Sequence, residues 1–218
     1  MIITMVKTAV LVSGGGTNLQ AIIDADIFGE IKNFELAAVI SSNPEAYAIE
    51  RAKYAGIPVY IVDYSIFANR TSFTKALCEK LLDLEIELVV YAGFNYILGP
   101  LFIKTFEKRI INIHPSLIPS FCGPGFFGLK VHEAVLEYGA KVTGATAHFA
   151  TEEADSGPII LQKAVDVLEG DTPRTLQRRV MEEAEWKILP EAISLFCENR
   201  LVIDGRVVRI KGLIDDEV

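Results

Sequence analysis

The chain has 218 residues, of which half are hydrophobic and 23% charged, with a formal net charge of −8. That is enough apolar material for one large core, and the acidic balance argues against gripping nucleic acid through its phosphates. No run approaches the roughly 20 apolar residues that span a bilayer. The start, MIITMVKTAVLVSGGG, lacks the apolar run and cleavage site of a signal peptide, and three scattered cysteines without a Cys-x-x-Cys suit reduced thiols, so a soluble cytoplasmic protein is expected.

Taken in chain order, short β-rich runs alternate with helical patterns. Thr8–Val12 is apolar and β-branched and ends at Ser13-Gly14-Gly15-Gly16, and Asn18–Ala25 then reads as a helix. Leu36–Ile40 is a strand and Ala46–Ala55 a helix, stopped by Gly56 with Pro58 just beyond. Pro58–Val62, Leu88–Tyr91 and Ile110–Ile113 are further strands, with a helix over Thr71–Leu84 and a short one after Pro100. Strands apolar on both faces belong to a parallel sheet covered by helices. The βαβαβαβ order predicts an α/β fold, doubly wound, with a mostly parallel sheet.

The second half changes character. Pro115 to Gly128 is rich in Pro, Gly and Phe and reads as irregular, and Val131–Tyr138 reads as a helix. Ala145–Phe149 and Ile159–Ala164 read as strands joined by an acidic loop, Thr151–Gly157. A long helix follows, capped by Asp171 or Thr172 with Pro173 in its first turn, and Pro190 is expected to kink it. Leu201–Ile203 and Val207–Ile210 flank Asp204-Gly205, a hairpin signal, and Asp215-Asp216-Glu217 reads as a frayed tail. These are C-terminal mixed strands with a long helix. No repeat and no linker is visible, so residues 1–218 are expected to form a single domain.

Three features carry chemistry. Ser13-Gly14-Gly15-Gly16-Thr17-Asn18 lies between a strand and a helix, where glycines let the backbone approach an anion and the helix N-terminus offers N–H groups. Leu19 stands where a dinucleotide fingerprint needs its third glycine, and no lysine completes a P-loop. A plain tight turn and a seat for a small phosphorylated ligand both fit.

Asn112 and His114 stand two apart at the end of a strand, so both project to one face. An amide can donate to a developing oxyanion, and an imidazole can move a proton or donate beside it. A satisfied buried Asn–His pair is the other reading. No nucleophile motif accompanies them, since Ser116 lacks a G-x-S-x-G elbow, so direct transfer is expected. His132 and His148 lack a tight ligand spacing with His114, and no metal is expected. A carboxylate near His114 would hold it protonated more of the time. Asp155, in Ala154-Asp155-Ser156-Gly157-Pro158, is the candidate, and a turn-capping Asp fits the same position.

The chain resembles the bacterial phosphoribosylglycinamide formyltransferases of purine biosynthesis. The resemblance rests on Ser13 to Ile22, Ala92-Gly93-Phe94, Asn112 to Pro119, Gly144 to Phe149 and Asp155 to Ile160, in that order and spacing. It implies a formyltransferase-type Rossmann-like fold, with a phosphate-binding N-terminal half and a catalytic, folate-binding C-terminal half.

By position, the resemblance makes Asn112, His114 and Asp155 the catalytic trio. It gives Gly16, Thr17, Asn18 and Glu185 to the ribonucleotide substrate. It gives Arg70, Asn95, Tyr96, Ile97, Leu98, Asn112, Thr151, Glu152, Glu153, Ala154 and Asp155 to folate. The implied reaction passes a formyl group from 10-formyltetrahydrofolate, a cosubstrate and not a tightly bound cofactor, to the amine of glycinamide ribonucleotide. The implied partners are these small molecules alone, with no nucleic acid and no membrane, in a monomer or homodimer.

Two departures stand out. Asn95-Tyr96 replaces the family's usual Met-Arg or similar pair, and the loop after Pro119 is longer and glycine-rich. Rival readings are a methionyl-tRNA formyltransferase, which would need a basic C-terminal domain, a 10-formyltetrahydrofolate hydrolase, which lacks the phosphate loop, and a non-catalytic phosphometabolite binder.

Overall fold

The computed structural model describes residues 4–212, so the expected tail Asp215-Asp216-Glu217 lies outside the described residues. The chain divides into two compact units, residues 1–112 and 113–218.

The first unit runs β1 (Val6–Val12), α1 (Thr17–Ile27), β2 (Phe34–Ser41), α2 (Ala48–Tyr54), β3 (Val59–Ile61), a 3₁₀ turn (Tyr64–Ile66), α3 (Arg70–Asp83), β4 (Leu88–Tyr91), α4 (Pro100–Thr105) and β5 (Ile110–His114), whose last two residues belong to the second unit. The strands are parallel in the order β3-β2-β1-β4-β5. Ala9 to Val12, Leu88 to Val90 and Ile111 are wholly buried, as expected of strands covered on both faces. The order reverses between β1 and β4. In open α/β sheets the carboxyl ends at such a reversal hold the ligand. The glycine loop leaves β1 there, and Ala92 to Gly99 leaves β4 there.

The second unit adds α5 (Leu129–Tyr138), β6 (Val142–Phe149), β7 (Ile159–Asp166), α6 (Pro173–Val180), α7 (Trp186–Cys197), β8 (Leu201–Asp204) and β9 (Val207–Ile210). β6 and β7 are antiparallel, β9 joins β7 in parallel at Ile159↔Val207, and β8–β9 is the expected hairpin. Gly144 is needed on β6, because a Cβ there would lie 2.0 Å from the Lys163 carbonyl oxygen. Thr146, fully buried, donates to Ser116 O at 2.6 Å and accepts the Ile118 N–H at 3.1 Å. It thereby fixes the segment that follows His114.

Thr172 is the helix cap: its hydroxyl accepts the Thr175 N–H at 3.2 Å, and Thr175 Oγ1 accepts the Thr172 N–H at 2.9 Å. Asp171 takes Arg179 instead, through contacts of 2.6 and 2.7 Å. The chain makes a π turn over Met181–Glu185, and α7 carries Pro190 in its interior. The π turn inserts a residue into the hydrogen-bond ladder upstream of the proline, and it packs against β6 and β7.

Candidate active site

The glycine loop is held from its own unit. Gly16 caps α1 with φ 71, a left-handed conformation, and the helix has no side-chain cap. Its first-turn N–H groups therefore depend on partners outside the helix ladder. A Cβ on Gly16 would lie 2.6 Å from Ala48 Cβ, so glycine is required both by conformation and by space. Chain neighbours aside, no heavy atom among the described residues lies within 4 Å of a Cβ built on Gly14 or Gly15. Thr17 opens α1 and Asn18 is buried in it.

Arg51, which no motif singles out, braces the loop by donating to Gly15 O at 2.9 Å and to Gln20 Oε1 at 3.0 Å. Ser13 joins the loops after β1 and β4. Its N–H donates to Gly93 O at 3.1 Å, and its Oγ accepts the Asn95 N–H at 3.0 Å.

Asn95 and Ile97 are exposed in the loop after β4, and Leu98 is buried. Tyr96 stacks on Tyr64 with ring centroids 4.2 Å apart and lies 5.5 Å from Phe73. The Asn95-Tyr96 departure thus completes an aromatic cluster. Arg70 is exposed at the start of α3, the helix that supplies Phe73.

Asn112 is half-buried on β5, paired with Tyr91 of β4. His114, the last residue of β5, is 4% exposed. Its Nε2 donates to Phe121 O at 2.9 Å, and its Nδ1 lies 3.4 Å from Asp155 Oδ2. Asp155 Oδ2 also accepts the Gly123 N–H at 2.9 Å, and Oδ1 lies 3.7 Å from His148 Nε2. Asp155 has φ 53, a left-handed conformation, and its side chain faces His114 while its hydrogen bond reaches Gly123 across the loop.

Burial lowers the pKa of His114, while the charge of Asp155 and the Phe121 carbonyl raise it; the net shift is downward. The charge of Asp155 favours the protonated ring, as expected, against the cost of burying that charge. Desolvation of the charged ring outweighs the carboxylate. Asp155 itself is pushed up by burial, but His148, His114 and the Gly123 N–H outweigh that and hold it below the ordinary carboxylate range.

The loop bearing Thr151, Glu152, Glu153 and Ala154 closes on itself. Thr151 Oγ1 donates to Glu153 O at 3.1 Å and lies 2.9 Å from Ser156 Oγ. Glu152 and Glu153 are exposed. Glu185 is buried in the π turn, 6% exposed. Ser116 Oγ donates to Ser120 O at 2.6 Å, which gives the hydroxyl a structural use. His148 and the Phe121 carbonyl are the partners that sequence reasoning missed. His148 lay inside a motif without a role attached, and no sequence signal announces a backbone carbonyl.

A family model described as formyl transferase matches residues 6–193. Phosphoribosylglycinamide formyltransferase of Escherichia coli (strain K12) is 38% identical, over 95% of this chain and 98% of that one. The crystal structure of glycinamide ribonucleotide transformylase 1 from Symbiobacterium toebii superposes with a TM-score of 0.89 at 48% identity, covering 94% of each chain. The trifunctional purine biosynthetic protein adenosine-3 of Gallus gallus is 44% identical over 91% of this chain, which spans only 19% of that protein's length.

Proposed function

The chain belongs to the formyl transferase family, and on that premise we propose that it transfers a formyl group from 10-formyltetrahydrofolate to the amine of glycinamide ribonucleotide. The observation that carries this reading is the buried imidazole of His114, with Nδ1 3.4 Å from Asp155 Oδ2, at the end of the strand that bears Asn112.

In the first unit, the backbone N–H groups at Gly16, Thr17 and Asn18 receive the phosphate, helped by the positive end of α1. Arg70 and the segment Asn95 to Leu98 contribute to folate binding. Tyr96, already stacked on Tyr64, contributes mainly backbone. In the second unit, the self-closed loop from Thr151 to Asp155 presents folate with a fixed backbone, and Glu185 receives the ribose hydroxyls.

The substrate amine attacks the formyl carbon, and negative charge develops on the formyl oxygen. Asn112 donates to that oxygen. His114, beside Asp155 whose charge favours the protonated ring, donates to the same oxygen. The donor is its Nε2–H, now given to Phe121 O. Water carries the proton that the attacking amine loses to the folate nitrogen, and collapse of the oxyanion to a carbonyl expels that nitrogen.

No helix among the described residues is long and apolar enough to cross a membrane. The proposal includes residues 1–218 as one formyltransferase domain, in a cytoplasmic monomer or homodimer with small-molecule partners. The test is an assay with both substrates, following absorbance of the deformylated folate. The expected result is turnover that requires the ribonucleotide. Turnover without it would mark a hydrolase, and ligand binding without turnover would mark a binder.

A further inference from the structure

Two carbonyls decide which nitrogens face Asp155. A carbonyl oxygen only accepts. His114 Nε2, 2.9 Å from Phe121 O, therefore carries a hydrogen, and so does His148 Nδ1, 2.9 Å from Phe149 O. In a neutral imidazole the opposite nitrogen bears the lone pair. Those nitrogens are His114 Nδ1, 3.4 Å from Oδ2, and His148 Nε2, 3.7 Å from Oδ1 of the same carboxylate. Both gaps exceed the roughly 2.7–2.9 Å of a charge-assisted hydrogen bond. A proton on either facing nitrogen turns that contact into a donation. Two rings, each anchored on backbone, thus compete for one carboxylate.

We propose that His148 is a positioning residue for the transfer: it engages Oδ1 of Asp155, keeps Oδ2 turned to His114, and sets how much of the carboxylate's charge His114 receives. This rests on the formyltransferase reading of the site. His148 acts through Asp155 and touches no reacting atom. Its side chain is 1% exposed, so its placement is fixed by packing.

The other titratable neighbours in this unit are His132 on α5, whose pKa burial and His114 lower to about 4, and Cys122, whose thiol burial and Asp155 push up. Neither changes charge near neutral pH. A charge on His148 would oppose protonation of His114.

Two variants separate the contacts. His148→Asn keeps a donor near Phe149 O and withdraws from Asp155, whereas His148→Gln reaches toward Asp155 without titrating. The measurements are kcat and KM with both substrates, and an NMR titration of the His114 ring. His148→Asn is expected to lower kcat roughly ten- to hundredfold with little change in KM, and His148→Gln to recover most of the loss. In His148→Gln the His114 titration moves to higher pH, because no second ring competes for a proton at that carboxylate.

Wild-type kcat in His148→Asn, or an unmoved His114 titration in His148→Gln, would overturn the inference. If His148→Asn does not fold, the titration in His148→Gln decides. The titration needs no substrate, so it stays distinct from failure of the functional reading, which would show as a wild-type chain that transfers no formyl group.

Discussion

The loop after β1 and the pair His114–Asp155 are built from different materials. The loop works through backbone: glycine conformations, a helix N-terminus and an arginine bonded to a carbonyl. Its residues are contiguous, so local spacing displays it. The pair works through side chains 41 positions apart (155 minus 114), held at 3.4 Å by a turn at Asp155 and by loop contacts at Phe121 and Gly123. A loop of the first kind tolerates side-chain change but not added bulk. A pair of the second kind tolerates neither a lost charge nor a lost ring. The substitutions below put that difference at risk.

The largest expected effect is at the pair. Asp155→Asn keeps the shape, removes the charge and is expected to lower kcat by about 10²–10⁴. KM for the ribonucleotide should stay close to wild type in steady-state kinetics, because the loop is untouched. The converse substitution is Gly16→Val. It forces a side chain into φ 71 and onto Ala48, 2.6 Å from the new Cβ. A loss of about 3 kcal/mol in urea unfolding is expected, with KM for the ribonucleotide raised more than kcat is lowered.

A smaller effect concerns His132, wholly buried, with both ring nitrogens lacking a hydrogen-bond partner among the described residues. Its pKa, lowered by burial and then by His114, is about 4, against an ordinary value of 6.5. Between those values the unfolded ring binds a proton that the folded ring refuses. Native stability therefore falls as pH drops through that window. His132→Leu should gain about 1–2 kcal/mol at neutral pH and show a flatter loss toward acid in unfolding curves taken across pH. The smallest effect is Tyr96→Leu, which forfeits the stack on Tyr64 for about 1 kcal/mol. Its KM for folate should stay near wild type if this segment meets folate through backbone.

The same contrast explains what the sequence disclosed. Strand–helix alternation and apolar runs predict the parallel unit, because strands covered on both faces need near-continuous hydrophobic residues. Asp204-Gly205 announces its hairpin for an equally local reason. The π turn at Met181–Glu185 is not visible in the sequence, where Pro190 draws attention downstream; a change of hydrogen-bond register leaves no composition signature. Asp155 could be chosen only through the family resemblance, since a left-handed turn and a catalytic partner ask for the same residue. How burial and carboxylate balance at His114 depends on packing, which residue spacing does not reveal.

The most direct measurement is single-turnover formyl transfer by His114→Ala, with 10-formyltetrahydrofolate and glycinamide ribonucleotide both saturating and binding of each checked separately. Binding is expected to stay intact and transfer to fall by about 10²-fold or more. Transfer at the wild-type rate in that variant would contradict it.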